Sequence, residues 1–272
     1  MLKKLQILLQ NEIDPAYAKR AFFIFREIES LRPKTVLDVG CGRGFYLKAL
    51  TLYPFIKKIY GVDINKLYIA KAKSLIGDKR VIIKIASIES LPFSENTFDC
   101  VISSEILEHI PDVDKGLKEI NRVLKPGGTL LITVPNNNFP FFWDPLNWIL
   151  MRLFKTHINK DIWWLAGMWA DHQRLFAVKE IEQRVKKNGY KVLNSELFIN
   201  YCWPLSHFLL YGIGKNLVER LKLTTGDRFI FDNKRQGGNL LAKAMAAPSR
   251  FLDRFGSSNN SSVGIGVKVI KK

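Results

Sequence analysis

The chain has 272 residues and a formal net charge of +17, from 42 Lys+Arg against 25 Asp+Glu. Hydrophobic content of 47% with 25% charged residues is that of an ordinary soluble globular protein with room for one sizeable core. No run approaches the ~18 apolar residues that a membrane-spanning helix needs, and Leu5 to Leu9 is too short for a signal-peptide core. The three cysteines, Cys41, Cys100 and Cys202, are odd in number and widely spaced, which excludes a disulfide framework, offers no metal-ligand set and suits a reducing cytosol.

Residues 2–31 read as helical, with Asp14 as N-cap and Pro15 in a first turn, where proline is tolerated. Ala18, Phe22, Phe25, Ile28 and Leu31 form an apolar stripe at helical spacing, and Pro33 ends the helix. Strands and helices then alternate. The short apolar run Val36 to Val39 is a buried strand, ended by Gly40, Gly42 and Gly44, and Tyr46 to Leu52 is helical. Lys57 to Asp63 is a strand ending in an acid, and Lys66 to Ile76 a helix closed by Gly77. Val81 to Ala86 and Phe98 to Ser103 are strands, with Leu91 to Thr97 a loop before the second of them. Val113 to Leu124 is a helix stopped by Pro126-Gly127-Gly128, and Thr129 to Val134 is a fifth strand. Such alternation predicts a parallel sheet with helices on both faces and a ligand outside the carboxyl ends of its strands.

Residues 136–170 break the pattern, holding five of the six tryptophans together with Phe139, Phe141, Phe142 and Phe154. Beyond them, Val178 to Lys187 reads as a helix closed by Gly189 and Lys191 to Asn200 as a strand. Residues 204–223 and 240–255 read as basic amphipathic helices, Gly256 to Ser262 as a connector and Val263 to Ile270 as a last strand. The expected organisation is N-terminal helices over 1–31 and one α/β domain over 32–272, with an aromatic insertion at 136–170 and a basic amphipathic insertion at 204–255.

Four features recur at matching places on successive strand–helix units: Asp38-x-Gly40-x-Gly42-x-Gly44; Gly61-Val-Asp63-Ile64; Ala86-Ser87-Ile88-Glu89; and Phe98 to Asp112, followed by Leu124 to Pro135. A glycine turn brings the backbone close to a ligand, and an acid ending the second strand can accept hydrogen bonds from a ribose diol. A dinucleotide fold uses the same two devices, but its G-x-G-x-x-G spacing fails here, because Phe45 stands where the third glycine would be.

In these motifs the chain resembles the class I S-adenosylmethionine-dependent methyltransferases, in particular the type-11 branch that includes quinone-biosynthesis enzymes. The resemblance covers roughly residues 32–200. It implies a Rossmann-like seven-stranded sheet with the last strand antiparallel, and S-adenosylmethionine as cofactor. It further implies that Gly40, Cys41, Gly42 and Gly44 approach the methionine part of that cofactor, with Asp38 beside its ammonium group. Asp63 would hold the ribose hydroxyls, Ile64 would lie on the adenine face, the Ser87–Ile88 backbone would meet the adenine edge, and Ser104 would line the methionine side. The family often carries an acid where Ser87 stands, and serine would accept the adenine amino bond more weakly.

Methyl transfer mainly requires alignment of nucleophile, methyl and sulfur, and some acceptors also need a base. Glu105, Glu108, His109, Asp171 and His172 are the titratable candidates, with packing or capping the competing role for both histidines.

Three functions remain open. A small-molecule or lipid-like acceptor suits the aromatic insertion with Arg152, Lys155 and Lys160, which reads as a lid, as an element at an anionic membrane surface, or as a helical subdomain with its own core. Nucleic acid suits the charge, of which a surplus of 11 lies in residues 136–272 (21 Lys+Arg against 10 Asp+Glu). Against it, Ser103-Ser-Glu-Ile106 replaces the Asn/Asp-Pro-Pro-aromatic motif of amino-directed nucleic-acid enzymes. The third is a non-catalytic S-adenosylmethionine-binding protein. The expected location is cytoplasmic, with a peripheral place on the inner face of a membrane.

Overall fold

A computed structural model describes residues 2–10, 12, 14–162, 165–201 and 261–272, with single positions 204, 208, 247 and 251. The two amphipathic segments expected at 204–223 and 240–255, and most of the connector before Val263, lie outside the described residues.

Helix α1 spans Leu2–Gln10 and α2 spans Pro15–Leu31. Asp14 caps α2 as expected, its side chain accepting from the N–H groups of Ala16 and Tyr17. The buried face of α2 differs from the expected stripe. Ala18, Ala21, Phe23, Ile24, Phe25 and Ile28 are buried, whereas Phe22 and Leu31 are only partly covered. The helix is enclosed on more than one side, so a single stripe understates its contact.

The strands are β1 (Thr35–Val39), β2 (Lys58–Asp63), β3 (Val81–Ile85), β4 (Phe98–Ser104), β5 (Leu124–Pro135), β6 (Tyr190–Phe198) and β7 (Gly264–Lys271). They form one seven-stranded sheet in the order β3-β2-β1-β4-β5-β7-β6, in which β1 to β5 pair in parallel and β7 runs antiparallel to both its neighbours. Successive side chains of a strand point to opposite faces. Val36, Ile59, Ile102 and Leu131 therefore enter a core under α2, α3 (Phe45–Leu50) and α4 (Lys66–Leu75). Leu37, Val62, Val101 and Leu130 enter a second core under α5 (Val113–Val123) and α7 (Val178–Lys187). Because both faces are covered, the strands read as unbroken apolar runs.

One expected boundary is wrong. Pro126-Gly127-Gly128 does not stop α5; the chain has already turned extended at Leu124, and the triplet lies inside β5. Proline lacks only a donor, which an extended segment at the start of a strand can spare.

The aromatic insertion is part core and part surface. Phe139, Trp143 and Met168 are buried with Ala16 of α2, Leu175, Ile199 and Val263. Helix α6 (Pro145–Ile149) runs directly into a π-helical turn, Leu150–Phe154. Asp144 anchors this unit from within, accepting from the N–H of Asn147 at 3.2 Å, its amide at 2.7 Å and the N–H of Met168 at 2.9 Å.

Candidate cofactor and acceptor site

β1 and β2 run in parallel register, with Val39 opposite Val62, so their carboxyl ends deliver Asp38 and Asp63 to the same end of the sheet. The glycine turn is tied to β2. The N–H groups of Gly40 and Cys41 donate to the Val62 carbonyl at 2.7 and 2.9 Å. Gly42 N–H donates to Asp63 Oδ2 at 2.8 Å, and Asn65 N–H donates to Asp63 Oδ1 at 2.8 Å. Both oxygens of Asp63 are thus held by backbone, and each retains a lone pair for a ligand hydroxyl.

The glycines are needed for different reasons. A Cβ on Gly40 would stand 1.9 Å from Ile106 Cδ1, so this position is glycine because the loop after β4 packs on it. Gly42 has φ +51° and nothing within 4 Å of a built Cβ; it is this residue whose backbone faces open space. Cys41 is buried, its sulfur close to Gly61, so its side chain lies under the turn and not on the open side.

Asp38 is 1% exposed, and its Oδ2 has no hydrogen-bond partner. Burial, reinforced by the charge of Asp63, pushes its carboxyl well above the usual carboxylate range. A buried carboxyl with an unsatisfied oxygen is costly unless something settles on it. An ammonium group would satisfy that oxygen, and the two acceptors Asp38 and Asp63 flanking the Gly42 turn fit an amino acid joined to a nucleoside.

The remaining predicted contacts take these places. Ile64 follows Asp63 and is 73% exposed. Ser87 Oγ accepts from Glu89 N–H at 3.2 Å. The side chain of Ile88 is buried beside Gly116 of α5, which leaves its backbone as the part able to meet a ligand. Ser104 Oγ lies 3.2 Å from Tyr46 Oη and 2.9 Å from Thr133 Oγ1.

The loop after β4 carries other titratable candidates. Glu105 sits in the left-handed region at φ 55°, a costly conformation for a residue with a Cβ. Arg20 of α2 donates to Glu105 Oε2 at 3.0 Å. Glu108 is fully buried with no hydrogen-bond partner on either oxygen, His109 Nε2 lying 3.8 Å from Oε1, and burial together with Glu105 raises its pKa well above the ordinary value. Residues 171–174 clamp this loop: Gln173 N–H donates to Glu108 O at 2.9 Å, Gln173 Nε2 to His109 O at 2.7 Å, and Arg174 Nη1 to Ile110 O at 2.5 Å.

The clamp brings His109 and His172 together, with ring centroids 4.9 Å apart. Nδ1 of His109 lies 2.9 Å from Asp171 O and Nδ1 of His172 lies 2.6 Å from Met168 O. A carbonyl only accepts, so each Nδ1 carries a proton. Glu108, His109 and His172 each place one ligand-type atom within 4.8 Å of the others.

Sequence reasoning missed Tyr17, Arg20, Tyr46 and Thr133. The ring of Tyr17 meets Phe45 at 5.2 Å, placing α2 across the glycine turn. Only a basic residue on the covered side of a helix, Arg20, offered a signal, and the expected stripe looked past it.

Comparison with known proteins agrees with this geometry. Residues 37–132 match the family described as a methyltransferase domain. The chain is similar to a ubiquinone biosynthesis O-methyltransferase of Coxiella burnetii, at 36% identity over 112 residues, covering 40% of this chain and 47% of that one. The match therefore spans about half the length of this relative. An uncharacterised protein of Methanocaldococcus jannaschii is 32% identical over 191 residues, covering 64% of this chain and 79% of that one. Among solved structures, an S-adenosylmethionine-dependent methyltransferase from Mesorhizobium loti superposes with TM-score 0.55 at 16% identity, covering 91% of this chain and 97% of that one. At that identity the likeness is one of fold.

Proposed function

The chain belongs to the class I S-adenosylmethionine-dependent methyltransferases, and on that premise we propose that it transfers a methyl group to a small-molecule or lipid-like acceptor by in-line displacement. The observation that carries the cofactor side is the pairing of Asp38, buried with an unpartnered oxygen, with the open backbone face at Gly42 and the fixed carboxylate of Asp63. S-adenosylmethionine supplies a methyl already activated on a sulfonium.

The residues divide the remaining work. Asp38 receives the ammonium group, and Asp63 receives the ribose hydroxyls on the lone pairs its backbone donors leave unused. Gly40, Cys41, Gly42 and Gly44 shape the turn, Ile64 and the Ser87–Ile88 backbone bound the adenine, and Ser104 lines the methionine side within the Tyr46–Ser104–Thr133 hydroxyl chain. Alignment accounts for most of the rate. Where the acceptor is a hydroxyl that needs a base, the candidates are Glu105, held by Arg20, and the adjoining His109 and His172.

The acceptor class is supported by the apolar, basic insertion beside this pocket and by the quinone-pathway name of the Coxiella relative. An anionic membrane surface as the working location rests on the same insertion. The charge of +17 favours a second reading, an RNA acceptor. To test the proposal, protein and methyl-labelled S-adenosylmethionine are incubated with fractionated cell extract. Label in lipid or small metabolites supports it; label in RNA favours the second reading; cofactor binding without label transfer makes the chain a binding protein.

A further inference from the structure

Among the described residues, a large group of exposed apolar side chains lies on the aromatic insertion. Leu146, Ile149 and Leu153 recur at spacings of three and four along α6 and the π-helical turn, which sets them on one face. Leu153 is 72% exposed, and Phe154 next to it 66%. The opposite side of the same segment, through Trp148 and Met151, packs on the small core around Trp143. Phe141 extends the exposed patch, its ring 5.2 Å from that of Trp148 and 5.4 Å from that of Phe142. The insertion thus packs on the core through Trp148 and Met151 and leaves Leu146, Ile149, Leu153 and Phe154 exposed, with Phe141 and Phe142 exposed beside Trp148.

The charge around this face is mainly positive. Over residues 141–161 the cations are Arg152, Lys155 and Lys160; of the acids, Asp144 is buried and engaged with Asn147 and Met168, and Asp161 is exposed beside Lys160. Arg152 lies 4.1 Å over the Trp148 ring, at the edge of the patch. Outward leucine, isoleucine and phenylalanine with a rim richer in cations than in exposed acids is the pattern of an element lying in a membrane interface. A nucleic acid would demand polar or stacking groups where Leu146, Ile149 and Leu153 stand.

Resting on the methyl-transfer reading, we propose that this face of residues 141–160 docks on a bilayer carrying anionic lipid and admits a lipid-like acceptor from it. Leu146, Ile149, Leu153 and Phe154 enter the acyl boundary, and Lys155 and Lys160 meet the headgroup phosphates. The route inward is short in structural terms: Met168, in the core beneath the docking face, holds Nδ1 of His172 through its carbonyl at 2.6 Å. Docking and the acceptor pocket thus share one packed unit.

Co-sedimentation with vesicles of phosphatidylcholine alone, and of phosphatidylcholine with phosphatidylglycerol, tests this. The intact chain is expected to sediment with the anionic vesicles and far less with the neutral ones. Leu153→Asp with Phe154→Asp should weaken that binding by roughly a hundredfold, from the burial energy of two large side chains. Lys155→Gln and Lys160→Gln should each weaken it by roughly fivefold, and only on anionic vesicles. Calorimetry with S-adenosylmethionine runs in parallel: unchanged affinity in the aspartate variant shows that the fold and the cofactor site survive, whereas no affinity in the intact chain overturns the methyl-transfer reading separately. The docking proposal is overturned if the intact chain stays in the supernatant at low salt, if the aspartate variant binds as well as the parent, or if the parent is a dimer in solution that the aspartate pair dissociates.

Discussion

Asp38 and Asp63 end adjacent strands, yet their surroundings give them different work. Asp63 accepts from two backbone N–H groups, at 2.8 Å each, and is held ready as an acceptor. Replacing it with alanine should weaken S-adenosylmethionine binding by ~1–3 kcal/mol, the usual worth of hydrogen bonds to a charged group, as read by titration calorimetry. Equal affinity in the variant would remove Asp63 from the site. Asp38 is buried with an oxygen unsatisfied, and its folded-state pKa is raised, chiefly by burial. A group shifted upward contributes stability at low pH, and that contribution is lost as pH rises from the unfolded carboxylate value, about 4, through the raised folded one. Asp38→Asn should therefore stabilise the ligand-free chain at neutral pH, with an advantage that shrinks toward pH 4. The same substitution should weaken cofactor binding, because the amide brings no charge to the ammonium. Denaturant melts across pH together with calorimetry would show the two opposite signs; a variant that loses both stability and affinity would contradict this account of Asp38.

At the scale of elements, the telling contact is that of α2 with β7, the strand next to the edge of the sheet. Glu27 of α2 receives Lys268 of β7 at 2.7 Å and Arg26 at 2.8 Å, and is nearly buried. Burial works against its charged form, but these two hydrogen bonds outweigh it and hold the carboxyl below its ordinary value. Its contribution is thus present above the unfolded carboxylate value and lost as pH falls through the folded one. Lys268→Ala should cost about 1–3 kcal/mol in urea unfolding, less than for an isolated buried pair because Arg26 remains. That loss should diminish in acid, and a penalty independent of pH would point to packing alone. Since α2 also carries Arg20 and Tyr17 across the site, loosening it should reduce cofactor affinity as well.

For the whole molecule, cofactor binding is a stability measurement. S-adenosylmethionine at a hundredfold its Kd adds about 2.7 kcal/mol, which for a chain of 272 residues raises Tm by roughly 5 °C. NAD should leave Tm unchanged; a shift with NAD alone would reverse the choice made from the position of Phe45. The alternation of strands and helices, the glycine turn and the acid at the end of β2 were all legible in the chain. They depend on local physics: strand burial, turn geometry and residues whose spacing along the sequence equals their spacing in space. The boundary at Leu124 was misread because proline and glycine mark a stop only when a helix would otherwise continue, and here sheet pairing had already taken over. The meeting of His109 with His172, Arg20 on Glu105 and the difference between Gly40 and Gly42 were not legible. Each depends on which loop packs against which strand end, a long-range choice made when the two faces of the sheet are covered. The sequence alone therefore determined the cofactor and the kind of fold, because those rest on contiguous motifs. Only the tertiary structure brought together the candidate residues beyond the glycine turn, because they come from α2, the loop after β4 and the clamp at 171–174, whose separation along the chain carries no periodic signal.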